Sequence, residues 1–164
     1  MMQRPAAGPR LAIQYRELES PEEKEKIARA ILEQLPDWFG LADSREEYIR
    51  TCAGLPVWAA FAAGRPVGFI ALRPSSAHTA ELYVMGVAPR LHRQGVGRRL
   101  EELFEAGARQ RGFVYAQVKT VDQGRYPEYD RTVAFYEAMG FCRLEVFPTL
   151  WDEWNPCLVL VKKL

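Results

Sequence analysis

Apolar residues fall at two different spacings along the chain, and the changes of spacing mark its elements. The stretch LAIQYREL reads as a first strand. In SPEEKEKIARAILEQLP, Ile27, Ile31, Leu32 and Leu35 share one face at helical spacing. Ser20 is placed to cap that helix, Pro21 suits its first position, Glu23 completes a capping box and Pro36 stops it. DSREEYIRTC predicts a shorter helix capped by Asp43 or Ser44. PVWAAFAAGRPVGFIAL predicts a hairpin, two apolar runs around Ala-Gly-Arg-Pro. TAELYVMGV is apolar on both faces, as a central strand must be. A helix is expected from near Gly95, with Val96, Leu100, Leu103, Phe104, Gly107 and Ala108 on one face. Then come a strand, FVYAQVKTV, and a polar, aromatic loop, DQGRYPEYD. A short helix, RTVAFYEAMG, stops at Gly140. FCRLEVF and CLVLVKK are the last two strands, joined by a loop, PTLWDEWNP.

The predicted order mixes consecutive strands with strand–helix–strand crossovers, which packs naturally as one mixed sheet flanked by helices. The chain of 164 residues is long enough for one sizeable core, expected over residues 11–164 after a flexible tail, 1–10, that is no signal peptide. A net charge of +1 argues against general nucleic-acid or membrane-surface binding. Three cysteines without paired spacing fit a reducing, cytoplasmic setting, and no metal-ligand spacing appears.

HRQGVGRRLEELF carries the strongest chemical signal. Gly95 and Gly97 stand where a strand becomes a helix, and glycine lets a ligand approach the backbone closely. The first amides of a helix have no internal partner and form an anion site with the helix dipole. Arg93, Arg98 and Arg99 add positive charge, so a phosphate or pyrophosphate is the expected occupant. A Walker A loop fails because Arg98 follows Gly97, and a dinucleotide fingerprint fails at Leu100. On this stretch alone, a plain turn is the competing reading.

The longer run AELYVMGVAPRLHRQGVGRRLEELF resembles the acetyl-CoA signature of the GNAT superfamily of N-acetyltransferases, with Val87, Pro89, Gly95 and Gly97 matching. His92 stands where that family usually has Arg or Gln. AFYEAMGF, Ala134 to Phe141, is similar to a second family segment, with a tyrosine four residues before Gly-Phe. The resemblance spans roughly Gln14 to Leu164 and implies an α/β (mixed α+β) fold. That fold has one central mixed, mostly antiparallel sheet of about six or seven strands, flanked by about four helices.

It also implies that acetyl-CoA is the co-substrate, with Met85, Val87, His92, Arg93, Gln94, Gly95, Val96, Gly97 and Arg98 as its binding set and no metal. Tyr136 becomes the candidate general acid for the departing thiolate. Glu81 becomes the candidate base, acting through water because Met85 lies roughly 13 Å further along an extended strand. By strand alternation Glu81 should share a face with Tyr83, Met85 and Val87, and Gly86 suits a local bulge. An asparagine that some members carry before their tyrosine is missing from EYDRTVAFY. The acceptor, a primary amine of a small molecule or peptide, is expected against Trp38, Phe39, Tyr126, Tyr129, Asp130 and Trp151. These aromatics, with neighbouring acids, suit a cationic or aromatic amine. Cys157 reads as a buried strand residue rather than an acetyl carrier. A non-catalytic acyl-CoA sensor is the alternative function, and a homodimer through the last strands is possible in the family.

Overall fold

The computed structural model describes residues 11–164. The tail expected at 1–10 lies outside the described residues. The elements follow the predicted order: β1 (Ile13–Leu18), α1 (Pro21–Leu32), α2 (Ala42–Cys52), β2 (Val57–Ala62), β3 (Arg65–Pro74) and β4 (Thr79–Val87), then α3 (Val96–Gln110), β5 (Tyr115–Val121), α4 (Pro127–Ala138), β6 (Cys142–Asp152) and β7 (Asn155–Lys163). The strands form one seven-stranded sheet in the order β1-β2-β3-β4-β5-β7-β6, so β4 is central. Every pairing is antiparallel except β4 with β5. α1 and α2 bury Ile27, Ile31, Leu32, Ile49 and Cys52 on one face of the sheet, against Val57, Phe69 and Val84. α3 and α4 bury Val96, Leu100, Phe104 and Tyr136 on the other, against Ile70, Leu82 and Leu160.

Several boundaries differ from the sequence reading. Ser20 caps α1 by accepting from the Glu23 amide at 3.2 Å, but the Glu23 side chain pairs with Arg16 rather than closing the box. α2 starts one residue before Asp43, with Leu41 at its cap position and no side-chain cap bond. α4 starts at Pro127, so the loop is short and Tyr129 and Asp130 are helical; proline at a first turn forfeits no hydrogen bond. The loop expected between the last strands is strand almost to its tip, where Asp152 pairs with Asn155. The Asp152 carboxylate accepts from the Trp154 and Asn155 amides and so builds that tip.

The bulge lies at Tyr83, not Gly86. Leu82 pairs with Leu72 and Val84 with Ala71, which leaves Tyr83 unopposed. An extra residue inverts the alternation beyond it. Tyr83 and Val84 therefore both pack toward α1 and α2, while Met85 and Val87 pack toward α3. The expected common face of Glu81 with Met85 and Val87 does not form. Gly86 serves helix packing: a Cβ there would meet Ile31 Cγ2 at 2.8 Å and Leu35 Cδ1 at 3.0 Å.

Candidate active site

Strands β4 and β5 pair only from Thr79–Leu82 to Tyr115–Val118. Beyond that, β4 stays with β3 as far as Val87 and β5 stays with β7 as far as Val121. Each is held by its outer antiparallel neighbour, so the facing edges of Tyr83–Val87 and Lys119–Val121 part without a ladder between them. Unpaired strand edges offer backbone donors and acceptors to an extended ligand.

β4 runs from this split into the glycine turn. The chain passes through a single 3-10 turn, Pro89–Leu91, and reaches α3. His92 Nε2 donates to the Val87 carbonyl at 2.6 Å, and its ring meets Trp38 edge-on at 6.1 Å. That imidazole braces the end of β4. Gln94 Nε2 donates to the Arg90 carbonyl at 3.1 Å. Arg93 (φ 61°) and Gly95 (φ 84°) take left-handed backbone conformations. The amide of Arg99, bonded to the Gly95 carbonyl at 3.1 Å, is the first to be satisfied within the helix. The Val96, Gly97 and Arg98 amides thus open α3 without helical acceptors. A Cβ on Gly97 would make only ordinary contacts, 3.6 Å to Phe135 and 3.8 Å to Met85. Packing does not demand glycine there, and its bareness keeps the approach to the amides clear. Among the described residues neither Arg93 nor Arg98 has a carboxylate partner. The turn fits a phosphate-bearing ligand.

Tyr136, on α4, is 6% exposed and packs edge-on against Phe135 and Phe141. Burial, and after it the carboxyl of Glu101, pushes its phenol well above the ordinary value, so it stays protonated. Glu101 was not singled out by sequence. It is fully buried on α3, where neither of its oxygens meets a hydrogen-bond donor. Burial, with the neighbouring Glu105, raises it to about 9, so Glu101 carries a proton. Burial acts to raise Glu105 too, but the neighbouring Glu101 carboxyl and the Lys162 ammonium outweigh it and leave Glu105 lowered. Lys162 Nζ also donates to the Met139 carbonyl at 2.7 Å, which ties β7 to the end of α4. Spacing held the clue: Glu101 and Glu105 stand four residues apart beside Phe104 and Ala108 on the buried face.

Glu81 is 4% exposed at the apex of the split, on the face toward α2. Arg73 donates to its Oε2 through Nε at 3.2 Å and Nη2 at 2.8 Å. Lys119 Nζ lies 3.3 Å from its Oε1. The Arg73 guanidinium also covers the Tyr83 ring at 4.2 Å. Tyr48, from α2, closes this side, 5.2 Å from Tyr83 and 5.7 Å from Phe39 by ring centres. Trp38 Nε1 donates to Thr132 Oγ1 at 3.2 Å, and the Tyr129 hydroxyl donates to the Trp38 carbonyl at 3.0 Å. Tyr129 meets Tyr126 at 6.0 Å, and burial raises its phenol to about 12. Trp38, Phe39, Tyr126 and Tyr129 thus form one wall with Tyr48. Trp151 is half exposed on the edge strand β6 and makes no ring contact with this wall among the described residues. Asp130 accepts from the Gly124 amide at 2.8 Å and shapes the loop. Arg73, Lys119, Tyr48 and Tyr83 were missed because only strand register and helix docking bring them to Glu81.

The split between parallel strands thus leads directly to an amide-lined helix start, and comparison with known proteins makes the assignment. The model of the acetyltransferase (GNAT) family matches residues 15–141. The chain belongs to the GNAT acetyltransferase family. A comparison with curated proteins finds no match. Among solved structures, a GNAT-family protein from Desulfovibrio desulfuricans superposes with a TM-score of 0.78 at 20% identity, covering 93% of this chain and 99% of that one. An aminoglycoside 6'-N-acetyltransferase complexed with coenzyme A gives 0.73 at 20% identity, over 92% and 96%. A GNAT family acetyltransferase from Elizabethkingia anophelis with acetyl-CoA bound gives 0.67 at 15% identity, over 93% and 98%. No helix among the described residues is long and apolar enough to cross a membrane.

Proposed function

We propose that this chain is an N-acetyltransferase that transfers the acetyl group of acetyl-CoA to a primary amine by direct attack in a ternary complex. The observation that carries the reading is the β4–β5 split leading straight into the bare amides of α3. The pyrophosphate would sit on the Val96, Gly97 and Arg98 amides, flanked by the Arg93 and Arg98 side chains, and the pantetheine arm along the free edge of Tyr83–Val87. Acetyl-CoA is a substrate here, and the solved relatives that hold coenzyme A or acetyl-CoA support the fit.

Each chemical requirement has a local candidate. The Met85 amide lies on the free edge, where it can face the thioester oxygen as negative charge develops there. Tyr136, kept protonated by burial, donates its proton to the departing sulfur. Glu81 takes the amine proton through water. The aromatic wall of Trp38, Phe39, Tyr48 and Tyr129 borders the acceptor space. Direct attack is favoured over an acetyl-cysteine relay because burial raises the Cys157 thiol to about 11, which keeps it un-ionised and a poor nucleophile.

Coenzyme A release from acetyl-CoA, measured against a panel of amines with a no-acceptor control, tests the function. Acceptor-dependent release is expected. Tight acetyl-CoA binding with no release for any amine would replace the enzyme by a coenzyme-binding module.

A further inference from the structure

Glu81 is nine-tenths buried and needs cationic partners, because an unpaired buried carboxylate is costly. Arg73 alone meets that need with two hydrogen bonds to Oε2. Lys119 is a second cation on the same carboxylate, so the cluster keeps one positive charge in excess. Both cations remain partly open to solvent, at 40% and 31% of their side chains. Among the described residues, the ion pairs of both are with Glu81 alone. Their position is specific. Lys119 and Tyr83 are the first residues of β5 and β4 beyond the last paired rung. Tyr48, Tyr83 and the Cys157 thiol also border the cluster, and the exposed Glu47 carboxylate beside Tyr48 forms no ion pair with Arg73 or Lys119 among the described residues. Of the carboxylates expected to attract a cationic amine, Asp130 is engaged by the Gly124 amide and Asp152 by the hairpin tip, while Glu128 stands beside Tyr129 at the start of α4.

We propose that Arg73 and Lys119, pinned by Glu81, recognise a carboxylate on the acceptor, so that the amine acetylated belongs to an amino acid or similarly short amino-carboxylate. The proposal rests on the acetyltransferase reading above. Its geometry limits the acceptor's length. Met85 stands two residues past Tyr83, roughly 7 Å along a strand. An acceptor whose carboxylate sits at Lys119 must therefore carry its amine within a few bonds to reach a thioester beside Met85. Tyr48, Tyr83 and Phe39 would hold the carbon skeleton between the two ends.

The test pairs each acceptor with its uncharged twin: α-amino acids against their carboxamides and β-alanine against β-alaninamide, with spermidine and an aminoglycoside as cationic acceptors. Coenzyme A release is followed for the native chain, Lys119→Gln and Lys119→Arg. Lys119→Gln leaves Glu81 bonded to Arg73, so the fold retains its buried pair. The native chain should favour at least one amino-carboxylate over its amide by roughly tenfold or more in kcat/KM, the scale of a charge-assisted hydrogen bond. Lys119→Gln should erase that preference through KM, with KM for acetyl-CoA unchanged, and Lys119→Arg should restore it. Equal use of acid and amide, or better use of the polyamines, overturns the proposal and leaves the acetyltransferase standing. No release with any acceptor overturns both.

Discussion

Tyr136 is the residue on which the proposed chemistry turns most directly. Its phenol is buried on α4 and held protonated. Tyr136→Phe should lower kcat by about 10²-fold, the low end for a general acid, with the dissociation constant for acetyl-CoA unchanged. An unchanged kcat would make this ring a packing residue only. The glycine turn was legible in the sequence because its surroundings are local, a strand end and a helix start, whereas Tyr136 was named only through the family resemblance. The surroundings of Glu81 were not legible. Its partners Arg73 and Lys119 lie on two other strands, and the bulge at Tyr83 resets which side chains share its face. No local pattern announces that bulge, because Tyr and Val suit a strand equally well on either face.

At the scale of elements, the central strand and the long helix were readable almost to the residue, since β4 is apolar on both faces apart from Thr79 and Glu81 and α3 carries a clear stripe. The starts of α2 and α4 were not, because each begins without a side-chain cap. The far end of the β6–β7 hairpin, PTLWDEWNP, was read as a loop because the outer strand is exposed along its whole length and lacks alternation. Gly86 links an element to the site: α1 sits so close to β4 that a methyl group has no room. Gly86→Ala should therefore cost about 1–3 kcal/mol in urea unfolding. Gly54→Ala, where nothing lies within 4 Å of the added carbon, should stay within about 0.5 kcal/mol. Equal effects at the two positions would contradict the tight seating of α1.

Across the whole molecule, Glu101, Glu105 and Lys162 join α3 to β7, and Lys162 goes on to the end of α4. The folded state raises Glu101 from 4.5 to about 9, so it binds a proton that the unfolded chain releases. The stability linked to that proton is full below pH 4.5 and is lost as pH rises toward 9. Glu105, lowered instead, acts the opposite way, losing its contribution as pH falls through the acid range. Glu101→Gln should thus stabilise the protein near pH 9 by on the order of 1–3 kcal/mol and flatten the fall in melting temperature between neutral and alkaline pH. A variant with the native pH profile would show that Glu101 is ionised in the fold. The most direct test of the central claim, that amine and thioester meet in one split, is the initial rate of coenzyme A release with acetyl-CoA and an active amine varied together. Intersecting double-reciprocal lines, with no release before the amine is added, are the expected result. Parallel lines with an amine-independent burst of thiol would contradict it and send the acetyl group through the protein.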